Sequence, residues 1–141
     1  VIEGPGEYDI KGVYIQGIPA AGTTIYLIEA EDIRICHLGK LAQPEISSKD
    51  LETINEVDIL MAPVGGKDSL DAKAAIKVIS DIEPKIVIPM YYKIPGLKAD
   101  LDGLDKFLKS LGIKTLAPLP KLSIKKKDIG QEEAKIIILN P

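Results

Sequence analysis

Thr24–Lys40 reads TIYLIEAEDIRICHLGK, and its pattern decides how the chain folds. Thr24 to Glu29 alternates and is rich in β-branched and aromatic side chains, which suit a half-buried pleated surface and predict a strand. Ala30-Glu31-Asp32 is a short polar turn, and Ile33 to Leu38 predicts the return strand. That strand runs into His37-Leu38-Gly39-Lys40, a tip followed by a glycine, where side chains can be aimed into a cleft.

On the N-terminal side, 7–10 and 13–18 predict short strands around a Lys11-Gly12 bend, and 19–23 is a turn of small residues. On the C-terminal side the pattern becomes strand, helix, strand, helix, strand. Ser47 suits a helix N-cap with Asp50 three residues on, so a helix is expected over 48–55. Val57 to Ala62 (VDILMA) predicts a buried strand. Ser69 can cap a helix over 70–82, with Ala74, Ala75, Val78, Ile79 and Ile82 on its inner face. Pro84 stops that helix, and 85–90 (KIVIPM) predicts a second buried strand. Asp100 can cap a helix over 101–111, and Gly112 fits the position just past its end. Closing strands are expected at 121–126 and 134–139. A β-rich first third followed by β-α alternation gives an α/β class of layered, mixed β-sheets with flanking helices.

The totals set bounds on function. A chain of 141 residues makes a single domain, 1–141, and 45% hydrophobic content supports a real core. A net charge of −3 disfavours nucleic acid as the main partner, because phosphate binding wants a basic field. Lysines 125–127 lack interleaved aromatics and read as a solvated strand end. One cysteine excludes an internal disulfide, and no stretch reads as a signal peptide or a spanning helix. The expectation is a cytoplasmic protein with no nucleic-acid and no membrane partner.

Three pieces of text resemble a known family: Glu3-Gly4-Pro5-Gly6-Glu7-Tyr8, His37-Leu38-Gly39-Lys40, and Ile88-Pro89-Met90-Tyr91-Tyr92-Lys93. They are similar to the predicted Zn-dependent hydrolases of the metallo-β-lactamase fold. The resemblance implies an αββα-type fold and metal-assisted hydrolysis of an ester, amide or phosphoester. It covers nearly all of this chain but only the later part of the family's chain. The family's His-x-His-x-Asp-His segment precedes the matching text, so the expected fold is truncated. The resemblance also places two family ligand positions here. The family's usual aspartate falls at Lys40 and its histidine at Tyr91. An ammonium has no lone pair to offer, and a phenol with a pKa of about 10 is a poor zinc ligand.

Counting ligands leads the same way. Catalytic zinc takes three protein ligands. The chain holds one His and one Cys, and as strand neighbours Cys36 and His37 point to opposite faces. No catalytic residue, metal ligand or cofactor is therefore expected, and Cys36 reads as a core residue. The cleft candidates are His37, Gly65, Gly66 and Lys93. Gly65-Gly66 could hold an anion through backbone N–H groups, although a loop needing positive φ is the simpler reading. The leading expectation is a degenerate, non-catalytic member of the fold, acting as a scaffold or binding module. The alternative is a fragment or subunit of a metal-dependent hydrolase, completed by a missing segment or a partner chain. In either case an open apolar sheet face predicts a homodimer or a partner chain.

Overall fold

Alternating side chains carry the first third of the chain into an antiparallel meander. Its strands are β1 (Gly6–Ile10), β2 (Val13–Ala20), β3 (Thr23–Ala30) and β4 (Ile33–His37). Two-residue turns join β1 to β2 and β3 to β4, with φ positive at Lys11 (51°), Gly12 (82°), Glu31 (51°) and Asp32 (65°). Two successive positive φ values match the right-handed twist of the strands they connect. The structure is a computed structural model and describes residues 1–130 and 134–141.

Beyond β4 the pairing turns parallel. β5 (Ile59–Pro63), β6 (Ile86–Met90) and β7 (Lys135–Ile136) add in chain order, giving one seven-stranded mixed sheet. Helices α1 (Ser48–Thr53), α2 (Ala72–Ile82) and α3 (Leu104–Ser110) lie in the connections. One sheet face carries Ile25, Leu27, Cys36, Leu60 and Val87, which pack with Ala75, Val78 and Phe107 of the helices. Phe107 and Leu60 have no exposed surface, and burying each stabilises the fold by roughly 1.5–3 kcal/mol. The other face is a row of isoleucines, Ile33, Ile59, Ile86, Ile88 and Ile137, against which Leu122, Ile124 and Ile129 pack. Toward β1 this second face is less covered: Ile15 and Ile28 are half-buried and Ile10 is 50% exposed. Among the described residues no helix is long and apolar enough to cross a membrane.

The layered α/β architecture is as expected, but several boundaries and two segments are not. α1 ends at Thr53 rather than 55. α2 starts at Ala72, because Asp71 is the cap and accepts the Ala74 N–H at 2.9 Å. Ser69 instead donates its hydroxyl to the Gly66 carbonyl at 3.0 Å. α3 starts at Leu104 rather than 101, since Gly103 is drawn into a bridge with Lys93 and the Asp102 carbonyl accepts the Lys93 N–H. Residues 121–126 form no strand. Their alternate apolar side chains cover the isoleucine face as an irregular layer that ends in a 3-10 turn at Lys126–Asp128. β7 is correspondingly short, with Leu139 bridging Leu119 beyond it. Lys126 is not simply solvated either, because its Nζ lies 2.8 Å from both oxygens of Asp58.

Candidate functional site at the strand tips

β4, β5 and β6 are parallel, so their carboxyl ends lie side by side, the usual place for ligands in an open α/β sheet. The loops leaving the three strands carry Lys40, Asp68 and Tyr91. Two of the chain's left-handed non-glycine residues lie here, Lys67 (φ 66°) and Tyr91 (φ 51°). Each such residue costs about 1–3 kcal/mol and persists only where its surroundings fix it.

The three side chains meet. Lys40 Nζ lies 2.7 Å from Asp68 Oδ2, and the Tyr91 hydroxyl donates to Asp68 Oδ1 at 3.1 Å. The ammonium also stands 4.8 Å from the centroid of the Tyr91 ring, within cation–π range. The hydrogen bond from Lys40 holds the Asp68 carboxyl below its ordinary range, with Tyr91 helping. Reciprocally, the bond to Asp68 keeps the Lys40 ammonium protonated above its usual pKa, with Tyr91 second. Both charged side chains are about half exposed, so this pairing matters for geometry more than for stability. Sequence reasoning missed Asp68. Its one available signal was an acidic residue in the Gly65-Gly66 loop facing two positions already singled out.

The other expected residues take different places. His37 is half-buried among Ile2, Ile15, Tyr26 and Ile28, and its Nδ1 accepts the Gly39 N–H at 3.0 Å. Burial holds its pKa below the ordinary histidine value, and a bond to its own backbone opposes this only in part. Cys36 points into the opposite, helix-covered face, where burial pushes its thiol up to about 12. Lys93 does not reach into the cleft, because its ammonium donates to the carbonyls of Leu97 and Ala99 and closes its own turn. Gly66 has φ 74°, as a tight loop requires, and its N–H donates to Leu70 O at 3.0 Å. That N–H is therefore not turned to an anion. Gly65 serves contact instead: its carbonyl accepts the Asp102 N–H at 2.8 Å, and a Cβ there would stand 3.0 Å from Tyr92 Cα.

Among the described residues no three His, Cys, Asp or Glu side chains come together in a way that could hold a metal. Asp68 is the one carboxylate of the Lys40–Asp68–Tyr91 cluster, and both its oxygens are already engaged. Among the described residues, Lys40, Asp68 and Tyr91 do not by themselves fit a metal centre.

Comparison with known proteins adds what geometry alone lacks. The family model of the β-lactamase superfamily domain matches residues 1–91. A UPF0173 metal-dependent hydrolase of Thermococcus onnurineus (strain NA1) is 30% identical over 119 residues, covering 73% of this chain and 51% of the relative. Another of that name, from Carboxydothermus hydrogenoformans, is 40% identical over 73 residues, covering 50% of this chain and 32% of the relative. The chain spans about half or less of the length of these two relatives. Among solved structures, a candidate Zn-dependent hydrolase of the metallo-β-lactamase superfamily from Thermotoga maritima superposes with a TM-score of 0.80 at 33% identity. That match covers 98% of this chain and 70% of the other. A candidate metal-dependent hydrolase from Parabacteroides distasonis shares the fold, with a TM-score of 0.60 at 17% identity over 99% of this chain and 58% of its own.

These relatives overturn the expectation that no metal cofactor belongs here, since the proteins this chain resembles are named for their dependence on one. The ligands counted in the sequence are those of these 141 residues alone. About half of the Thermococcus relative lies outside the match.

Proposed function

Because the chain belongs to the β-lactamase superfamily, we propose that it forms part of a metal-dependent hydrolase acting on an ester, amide or phosphoester. In this reading the rest of the site comes from a further segment or a partner chain. The observation that carries it is the likeness, at 33% identity over 98% of the chain, to a candidate Zn-dependent hydrolase. Such relatives favour an enzyme over a non-catalytic scaffold. A bound metal would polarise the scissile bond and make water a stronger nucleophile. This chain's own contribution is the strand-tip wall, where Lys40 presents a cation and Tyr91 a hydroxyl. The half-covered face at Ile10, Ile15 and Ile28 supports the need for a covering element. The occupant we propose is a second sheet supplied by that further segment or chain. A cytoplasmic location belongs to the same proposal: Cys36 is a buried free thiol, and cell fractionation would test the placement.

The test is co-expression of this chain with the part of the Thermococcus relative that lies outside the match. A stable complex is expected, carrying close to one metal per chain by elemental analysis and cleaving a nitrophenyl ester or phosphodiester until a chelator is added. Two results would sink the reading. One is a chain that stays monomeric by light scattering, binds no apolar dye and captures no segment. The other is a symmetric dimer of the chain alone that closes the face and leaves nothing to complete.

A further inference from the structure

Two donors converge on the two oxygens of one carboxylate at the strand tips. The Lys40 ammonium takes Asp68 Oδ2 at 2.7 Å, and the Tyr91 hydroxyl takes Oδ1 at 3.1 Å. One donor for each oxygen, one of them charged, is an arrangement that suits a carboxylate. We propose that Lys40 and Tyr91 form a carboxylate-binding fork, that Asp68 fills it as an internal stand-in, and that a carboxylate ligand with an apolar body exchanges for Asp68.

The backbones that carry Lys40 and Tyr91 are anchored, while the carboxylate that occupies the fork is exposed. Tyr91 is held at φ 51° with its backbone against Gly65, and the Lys40 N–H is tied to Thr23 Oγ1 at 3.4 Å. Asp68, by contrast, has a side chain 57% exposed. Its turn is held by other bonds, from Gly66 N–H to Leu70 O, from Ser69 to Gly66 O, and from Leu70 N–H to Leu41 O. The carboxylate can therefore swing out by side-chain rotation alone, with no loss of loop structure. An ammonium has three N–H donors, so Lys40 keeps capacity for a ligand oxygen.

The apolar body follows from what lies beside the fork. Tyr91 also lines a cavity of about 380 Å³ together with Met61, Ile88, Met90, Ile94 and Leu97. That volume is in the range of small-molecule sites, and the wall is almost wholly apolar. A short aliphatic or aryl acid satisfies both features. Read as a substrate group, this assignment rests on the proposed hydrolase function and narrows it, since ester or amide hydrolysis releases a carboxylate and phosphoester hydrolysis does not.

Isothermal titration of the full chain with hexanoate, without metal or turnover, tests the fork. Asp68→Ala removes the internal competitor and is expected to tighten hexanoate binding by about tenfold or more over the wild type. Asp68→Asn, which keeps the shape, should move the same way. Adding Lys40→Met to Asp68→Ala should abolish binding, and hexanol should not bind in any variant. The proposal is overturned if neither Asp68 variant binds more tightly than the wild type, or if loss of Lys40 leaves the affinity unchanged. Phosphate binding more tightly than hexanoate would also overturn it, in favour of a phosphoryl ligand. Failure here leaves the hydrolase reading standing, and an absence of hydrolysis leaves the fork standing.

Discussion

Gly65 runs directly against the backbone of Tyr91, so closely that a Cβ at position 65 would collide with the Tyr91 carbonyl oxygen and press on Tyr92 Cα at 3.0 Å. The contact couples the loop after β5 to the loop after β6, and it is backbone on backbone, with no flexible side chain to give way. Gly65→Ala is expected to lower stability by about 1–3 kcal/mol through overpacking. It should also displace Tyr91 from its left-handed conformation. Chemical denaturation checks the first effect, and an unchanged midpoint would show that the two backbones are not in contact.

At the opposite end of the sheet, Asp58 is a buried carboxylate, its side chain only 7% exposed. It accepts the Arg34 backbone N–H at 2.8 Å and both of its oxygens meet Lys126 Nζ at 2.8 Å. Asp58→Ala leaves the Arg34 backbone N–H without its partner and frees the half-exposed Lys126, and it is expected to cost about 1–3 kcal/mol. Lys126→Met should cost less, since the Lys126 side chain is 51% exposed and water can partly replace it. Its effect should concentrate in the layer it pins. Hydrogen exchange is expected to speed up over 122–129 before the global midpoint moves, and a uniform change across the sheet would argue against the pin.

His37 gives stability a pH dependence whose sign follows from burial. Its native pKa is depressed below the ordinary value of 6.5, so the unfolded chain binds its proton first as pH falls. The contribution is complete above that value. It is lost as pH drops through the window down to the depressed native pKa, and it is level below that. Protonation would also compete with the bond that Nδ1 accepts from the Gly39 N–H. His37→Gln should flatten this part of the stability–pH curve relative to the wild type, as measured by melting temperature across the histidine range. A wild-type curve no steeper there than the variant's would show that His37 is not the group responsible.

Local pattern was enough for much of the fold. The alternation from Thr24 to Ile28 and from Ile33 to His37 forced a hairpin, because one face of each strand had to be buried and the other need not be. The same logic set the inner face of α2 and the Ser47 cap, whose oxygen accepts the Asp50 N–H at 3.1 Å. Alternation could not say how residues 121–126 would hide their apolar side chains. Pairing at a sheet edge and lying over a sheet face satisfy the same pattern, and Leu122 and Ile124 took the face. The candidate site was beyond local pattern altogether. Lys40, Asp68 and Tyr91 sit in three loops with no shared period, as do Asp58 and Lys126, which are 68 residues apart. Periodicity reports only which way a side chain faces within its own element. Which loops become neighbours was settled by the parallel pairing of β4, β5 and β6, a long-range choice made by the core as a whole.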